Sequence, residues 1–230
     1  IEILAKGEIM QNRNLIISFV AILAIVNPAK SQDKAEDTFA SIANGPNNSV
    51  YVVASSTIEA DTSVDIVTLK FAGNGDLLWD KHYDNMYHGA DVAVDLVCDI
   101  EGNAYVLGTS ETGEGMANLV LLKYSSNGVL MWTTTIGDPG NYSEGSAIEL
   151  GINGMVWVTG TSWNSSDQYS LITARCDQNG NILWNTSNSG SDLEEKKAVD
   201  LALDNSGAIH VIGFEHGGGE GNFIYIKYDA

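Results

Sequence analysis

Few side chains in this sequence have the type and spacing to do chemistry. Four histidines, His82, His88, His210 and His216, fall in no pair or triplet with metal-ligand spacing. Two cysteines, Cys98 and Cys176, could form one bridge in an oxidising compartment. They end non-equivalent strands of different repeats, so free, buried thiols are expected. Asp177-Gln-Asn179-Gly-Asn181 opens like a calcium loop, but the later Glu and the flanking helices of such a loop do not follow. A plain turn is the expected reading. No nucleophile elbow, HExxH pair, phosphate loop or dinucleotide fingerprint occurs. No catalytic residue, metal ligand or cofactor-binding residue is therefore assigned, and no cofactor is expected.

Charge narrows the partners. The 230 residues include 30 acids against 11 Lys and Arg, a net charge of −19. Nucleic acid is excluded as a partner, because phosphate contacts need clustered bases. Adhesion to an anionic membrane surface is excluded on the same ground. A hydrophobic fraction of 44% supports a packed core and rules out global disorder.

The elements that position these side chains announce themselves as a repeat. Asn74-Gly75-Asp-Leu-Leu-Trp79, Asn127-Gly128-Val-Leu-Met-Trp132 and Asn179-Gly180-Asn-Ile-Leu-Trp184 place Trp at intervals of 53 and 52 residues. Apolar runs just upstream end in a base at Lys70, Lys123, Arg175 and Lys227, spaced by 53, 52 and 52. Asn103-Ala-Tyr105-Val-Leu-Gly108-Thr-Ser matches Gly154-Met-Val-Trp157-Val-Thr-Gly160-Thr-Ser, with weaker copies ending at Ala54 and Gly213. Ahead of these lie Ala93-Val-Asp95-Leu, Ala147-Ile-Glu149-Leu and Ala198-Val-Asp200-Leu. Each repeat reads as four short strands, since the runs are β-branched and aromatic and the gaps hold Gly, Asn, Asp and Ser. Asn-Gly is the strongest hairpin signal, as both residues tolerate φ > 0. Strands two and three are apolar on both faces, so sheet must pack on sheet. Four-stranded sheets repeating at this period are propeller blades.

The fold expected is all-β, a β-propeller of four-stranded antiparallel blades at 37–89, 90–144, 145–196 and 197–230. The last blade is incomplete, because no Asn-Gly…Trp strand follows Lys227. An open arc from a larger, six- to eight-bladed propeller is expected, with Phe223–Lys227 as a sheet edge. Residues 1–31 stand apart. Met10 is a plausible start, Arg13 a short basic region, and Leu15–Val26 an apolar run too short to span a bilayer. Small residues at Ala29 and Ser31 complete the layout of a secretory signal peptide, leaving 32–230 as the mature part.

Two columns invite a functional reading. Trp79, Trp132 and Trp184 could cage a ligand, but their fixed frame beside Leu favours packing between blades. Lys70, Lys123, Arg175 and Lys227 could hold an anion. Ion pairs with Asp95, Glu149 and Asp200 are the plainer expectation.

The stretch 65–110, DIVTLKFAGNGDLLWDKHYDNMYHGADVAVDLVCDIEGNAYVLGTS, closely resembles the SBBP-type β-propeller repeat of secreted bacterial proteins, and the likeness extends over about 37–230. The resemblance implies a secreted or cell-surface propeller, often one part of a larger protein with further blades or domains beyond Ala230. It supplies no catalytic residues. Propeller function sits in end loops. Here the long loops follow strands two and four, and an up-and-down blade puts both sets on one face. Ligand contacts are expected there from Tyr87, His88, Tyr142, Trp163 and His216. The expected function is a non-enzymatic binding or scaffolding module for a protein or glycan, with no membrane insertion after signal cleavage. The alternative is a glycan-acting lyase or hydrolase using acids of the same face.

Overall fold

The computed structural model describes residues 37–57, 63–113, 115–138, 140–151, 154–166, 168–189, 195–217 and 220–229. By its contacts the chain divides into compact units Ile1–Gln32 and Asp33–Ala230. The expected leader lies outside the described residues. Among the described residues, no helix is long and apolar enough to cross a membrane.

Among the described residues, fifteen strands form four successive sheets. Blade one holds β1 (Thr38–Asn44), β2 (Val50–Thr57), β3 (Val64–Phe71) and β4 (Leu77–Tyr83). Blade two holds β5 (Asp91–Cys98), β6 (Ala104–Glu111), β7 (Ala117–Tyr124) and β8 (Leu130–Ile136). Blade three holds β9 (Tyr142–Leu150), β10 (Val156–Trp163), β11 (Tyr169–Cys176) and β12 (Ile182–Ser189). Blade four holds β13 (Glu195–Leu203), β14 (Ile209–Gly217) and β15 (Glu220–Tyr228). Within each sheet the strands run in sequence order and pair antiparallel, as a propeller blade requires. The blades follow one another as an open arc, with a 3-10 turn at Pro46–Asn48 between the first two strands.

Apolar faces of consecutive blades close the core. Tyr105, Leu107, Leu119 and Leu121 of blade two meet Ile148, Val156, Val158 and Ile172 of blade three. Equivalent clusters join blades one and two, and three and four. The Asn-Gly turns serve both geometry and packing. Gly128 and Gly180 have φ of +78° and +83°. A Cβ at either would also come within 3.0 Å of the Trp of the preceding blade, Trp79 or Trp132. Glycine alone meets both conditions.

The innermost strand of each blade carries a one-residue bulge, and it corrects one sequence register. Ala93 pairs with Gly108, Gly145 with Gly160 and Ala198 with Gly213. Backbone N–H groups of these same three residues donate to Ser55 Oγ, Thr109 Oγ1 and Thr161 Oγ1 of the preceding blade at 2.9, 3.0 and 3.1 Å. Gly145, and not Ala147, is therefore the counterpart of Ala93. The Ala147-Ile-Glu149-Leu match is displaced by two residues, and Glu149 is not the counterpart of Asp95.

In the basic column, Lys70 and Lys123 reach backbone carbonyls of the next blade and not the expected acids, and Lys227 lies beside Asp204. Lys70 Nζ and Trp79 Nε1 both donate to Ser126 O of the next blade, at 2.9 and 3.1 Å. Lys123 Nζ and Trp132 Nε1 repeat this on Gln178 O at 3.1 and 3.0 Å. The ammonium groups lie over the Tyr51 and Tyr105 rings, 4.9 and 4.7 Å from the centroids. The reason is location: Lys70 and Lys123 end strand three on the face turned to the next blade, where the turn carbonyl is at hand. Asp95 instead caps blade three, its Oδ2 accepting from Ile148 N at 3.3 Å. Burial, and then the like charges of Asp95 and Asp200, push the Glu149 carboxyl above its ordinary range.

Both cysteines are free and lie in different blade junctions, Cys98 between blades one and two and Cys176 between two and three. Burial pushes the thiols up to about 12 and about 11, so neither is a ready nucleophile.

Candidate functional site

The long-loop end of the blades is built on a polar pair that recurs with different chemistry. Two residues before the bulge partner, strand one faces strand two through Asp91 and Ser110, Ser143 and Ser162, and Lys196 and Glu215. Ser143 Oγ donates to Ser162 Oγ at 3.0 Å, and Lys196 Nζ lies 3.5 Å from Glu215.

In blade two this pair anchors the loop 84–90. Asp91 is fully buried and accepts from Asn85 N at 2.8 Å and Asn85 Nδ2 at 2.9 Å. The same Nδ2 donates to Ser110 Oγ and Glu111 O, and Asn85 Oδ1 accepts from Tyr87 N. Burial raises the Asp91 carboxyl above its usual range, against the pull of hydrogen bonds from Ser110 and Asn85. The rigid base projects Tyr87 outward, 56% exposed. His88 sits at φ +52° and is held by Asp84 Oδ2, 2.6 Å from Nδ1.

Tyr87 forms one wall of an open groove of about 710 Å³, shared with Thr112, Met116, Asn118, Asp138 and Asn141. Three loops make it: 84–90, the β6–β7 connection and the β8–β9 connection. At the same end of blade three, Tyr142, Trp163 and Tyr169 stand side by side on β9, β10 and β11. Their ring centroids are 4.4 Å apart for Tyr142–Trp163 and 5.7 Å for Trp163–Tyr169, with interplanar angles of 31° and 26°. All three are half-buried, and burial with nearby Glu144 and Glu111 raises the Tyr142 hydroxyl. The strip begins one residue after Asn141 of the groove.

The structure thus joins Tyr142 and Trp163 and adds Tyr169, which sequence reading missed because it opens an apolar strand run. Tyr87 lies on the groove. His88 does not line it, being turned to Asp84. His216 belongs to neither feature and packs on Phe214 at 5.5 Å. His210 is half-exposed and bridges Tyr225 Oη at 2.7 Å and Asp204 Oδ2 at 3.0 Å. The Asp177 carboxylate closes its own turn, accepting from Asn179 N, Asn181 N and Asn181 Nδ2. That use, shared by Asp99 and Asp204, makes 177–181 a turn.

No protein-family model matches the chain. No curated protein matches it either. Among solved structures it is similar to a thermostable family-43 glycoside hydrolase, with TM-score 0.46 and 11% identity, covering 81% of this chain and 69% of that one. It is also similar to the tail fiber of Staphylococcus aureus phage P68, with TM-score 0.29 and 10% identity, covering 90% of this chain and 55% of the other. Likeness at this level carries neither substrate nor chemistry to this protein.

Proposed function

We propose that the chain is a non-enzymatic binding module of an exported protein of the SBBP-type repeat, and that its long-loop face takes a neutral glycan. The observation that carries this reading is the strip Tyr142–Trp163–Tyr169 beside the groove. The three half-buried rings stack on one another and offer their remaining apolar surface to the C–H groups of a sugar, and Asn118, Thr112 and Asn141 offer hydrogen bonds to its hydroxyls. A net charge of −19 disfavours polyanionic glycans. An enzyme would need paired carboxylates across a scissile bond. Asp138 is the one carboxylate that lines the groove among the described residues, so binding is the better supported reading.

Screening the purified chain on neutral glycans, followed by calorimetry, tests this. Trp163→Ala should weaken binding by about tenfold or more, as for a central aromatic contact, while Trp163→Phe retains most of it. Absence of binding, or an unchanged affinity in Trp163→Ala, removes the proposal. Release of new reducing ends would favour the hydrolase instead.

A further inference from the structure

A second, smaller cavity adjoins the groove. It holds about 110 Å³ between blades two and three, with Ile136, Gly137 and Asp138 on one side and Ile172, Asn185 and Ser187 on the other. Gly137 and Asp138 line the groove as well, so the two spaces meet there. At Gly137 the boundary is bare backbone. A Cβ at that position would run into the Asn118 amide and come within 3.3 Å of Ser143 Oγ.

The cavity is apolar inside and polar at its mouth. Ile136 and Ile172 are 1 and 4% exposed, and both belong to the core that joins blades two and three. Across β11 and β12, Ser187 faces Ile172 and Asn185 faces Ala174, so both stand on the face turned to blade two. Both are exposed and bring a hydroxyl and an amide to the rim. The repeat does not require this space. In the junction of blades one and two, Tyr83 takes the place of Ile136, facing Ile66 as Ile136 faces Leu119. The Tyr83 ring packs against that core, whereas the shorter Ile136 leaves room.

We infer that this cavity takes the acetamido group of a 2-acetamido-2-deoxy sugar lying in the groove, so that the ligand is an N-acetylated glycan and not a plain hexose polymer. The inference rests on the glycan reading above. A cavity of about 110 Å³ holds about four water-sized groups at roughly 30 Å³ each, which matches the nitrogen, carbonyl carbon, oxygen and methyl of an acetamido group. The methyl lies on Ile136 and Ile172, the N–H donates to the Asp138 carboxylate, and the carbonyl oxygen accepts from Asn185 Nδ2. A hydroxyl in the same place leaves the isoleucine surface against water. The group carries no charge, in keeping with a neutral ligand.

Calorimetry on the full chain with two tetrasaccharides of one β-1,4-linked backbone tests this. The probes are tetra-N-acetylchitotetraose and cellotetraose, which has a hydroxyl in place of each acetamido group. The acetylated probe should bind about tenfold or more tighter, since a methyl on an apolar surface and a hydrogen bond to a charged group both favour it. Ser187→Phe, at an exposed position, fills the cavity from its mouth and should bring the two affinities together. Asn185→Leu keeps the side chain's bulk and should cut the preference by about two- to tenfold, the loss of one hydrogen bond. Equal affinities in the unaltered chain, or a preference untouched by Ser187→Phe, overturn the inference. The glycan reading then still stands if Trp163→Ala weakens both probes. If neither probe binds while another neutral glycan does, the acetamido assignment falls alone; if no glycan binds, both fall.

Discussion

Blades two and four carry the same pattern in the same places and meet different fates. Leu107, Leu119 and Leu121 are completely buried, while their counterparts Ile212, Phe223 and Tyr225 are 44, 83 and 54% exposed. Lys123 is 7% exposed and bonded to the next blade, whereas Lys227 is exposed and lies 3.5 Å from Asp204. The residue type prescribes a blade, and the neighbour decides whether a given face of that blade is core. A repeat therefore stores its stability in the junction and not in the sheet.

The sharpest way to break the comparison is to empty equivalent positions. Leu121→Ala should cost about 2–5 kcal/mol, because the cavity opens between two packed blades. Tyr225→Ala should cost at most about 1 kcal/mol, as for an exposed ring with one hydrogen bond, to His210. Denaturant midpoints read both, and a similar loss at both sites would mean that blade four is covered in solution. The grip on the next turn should give a smaller contrast. Lys123→Met leaves Gln178 O with one donor fewer and should cost about 1–3 kcal/mol. Lys227→Met should cost at most about 1 kcal/mol, since a partly exposed pair is screened by solvent. Unfolding midpoints at low and high salt would tell them apart.

The smallest effect concerns pH. Blade two holds its loop with Asp91, where blade four has Lys196. The folded-state pKa of Asp91 is raised, so the folded chain binds that proton more readily than the unfolded one. Its contribution is present at low pH and lost as pH rises through the folded value. Comparing the wild-type chain with Asp91→Asn between neutral and mildly acid pH should show a gain on acidification that the variant lacks. Parallel curves would assign the loop's order to other groups.

Much of this was legible before any coordinates. The Asn-Gly turns, the Trp column and the bases at strand ends all report backbone needs, and each landed where its spacing put it. The bulge was not legible, because an extra backbone residue has no side-chain signature. Ala147-Ile-Glu149-Leu imitated the Ala93 motif by chance of composition. The destination of Lys70 and Lys123 was hidden for a related reason: a backbone carbonyl in the next repeat leaves no mark on the sequence. At the candidate site, Tyr142 and Trp163 stood out at loop ends. The groove did not, since it joins three loops from successive blades, and Tyr169 was masked by the strand it begins.

The hydrogen bonds between blades have a kinetic consequence. Hairpin contacts within a blade join near neighbours in sequence, but the five bonds that link Ser55, Thr109 and Thr161 to the next strand one, and Lys70 and Lys123 to the next turn, span 36 to 56 residues. Loop closure of that length must be met before the contact returns anything, so blades should form first and dock second. On unfolding, the order reverses from the end with fewest links. Amide exchange should then grade along the chain, with β14 and β15 opening by local fluctuation while β6 and β10 open only with the whole.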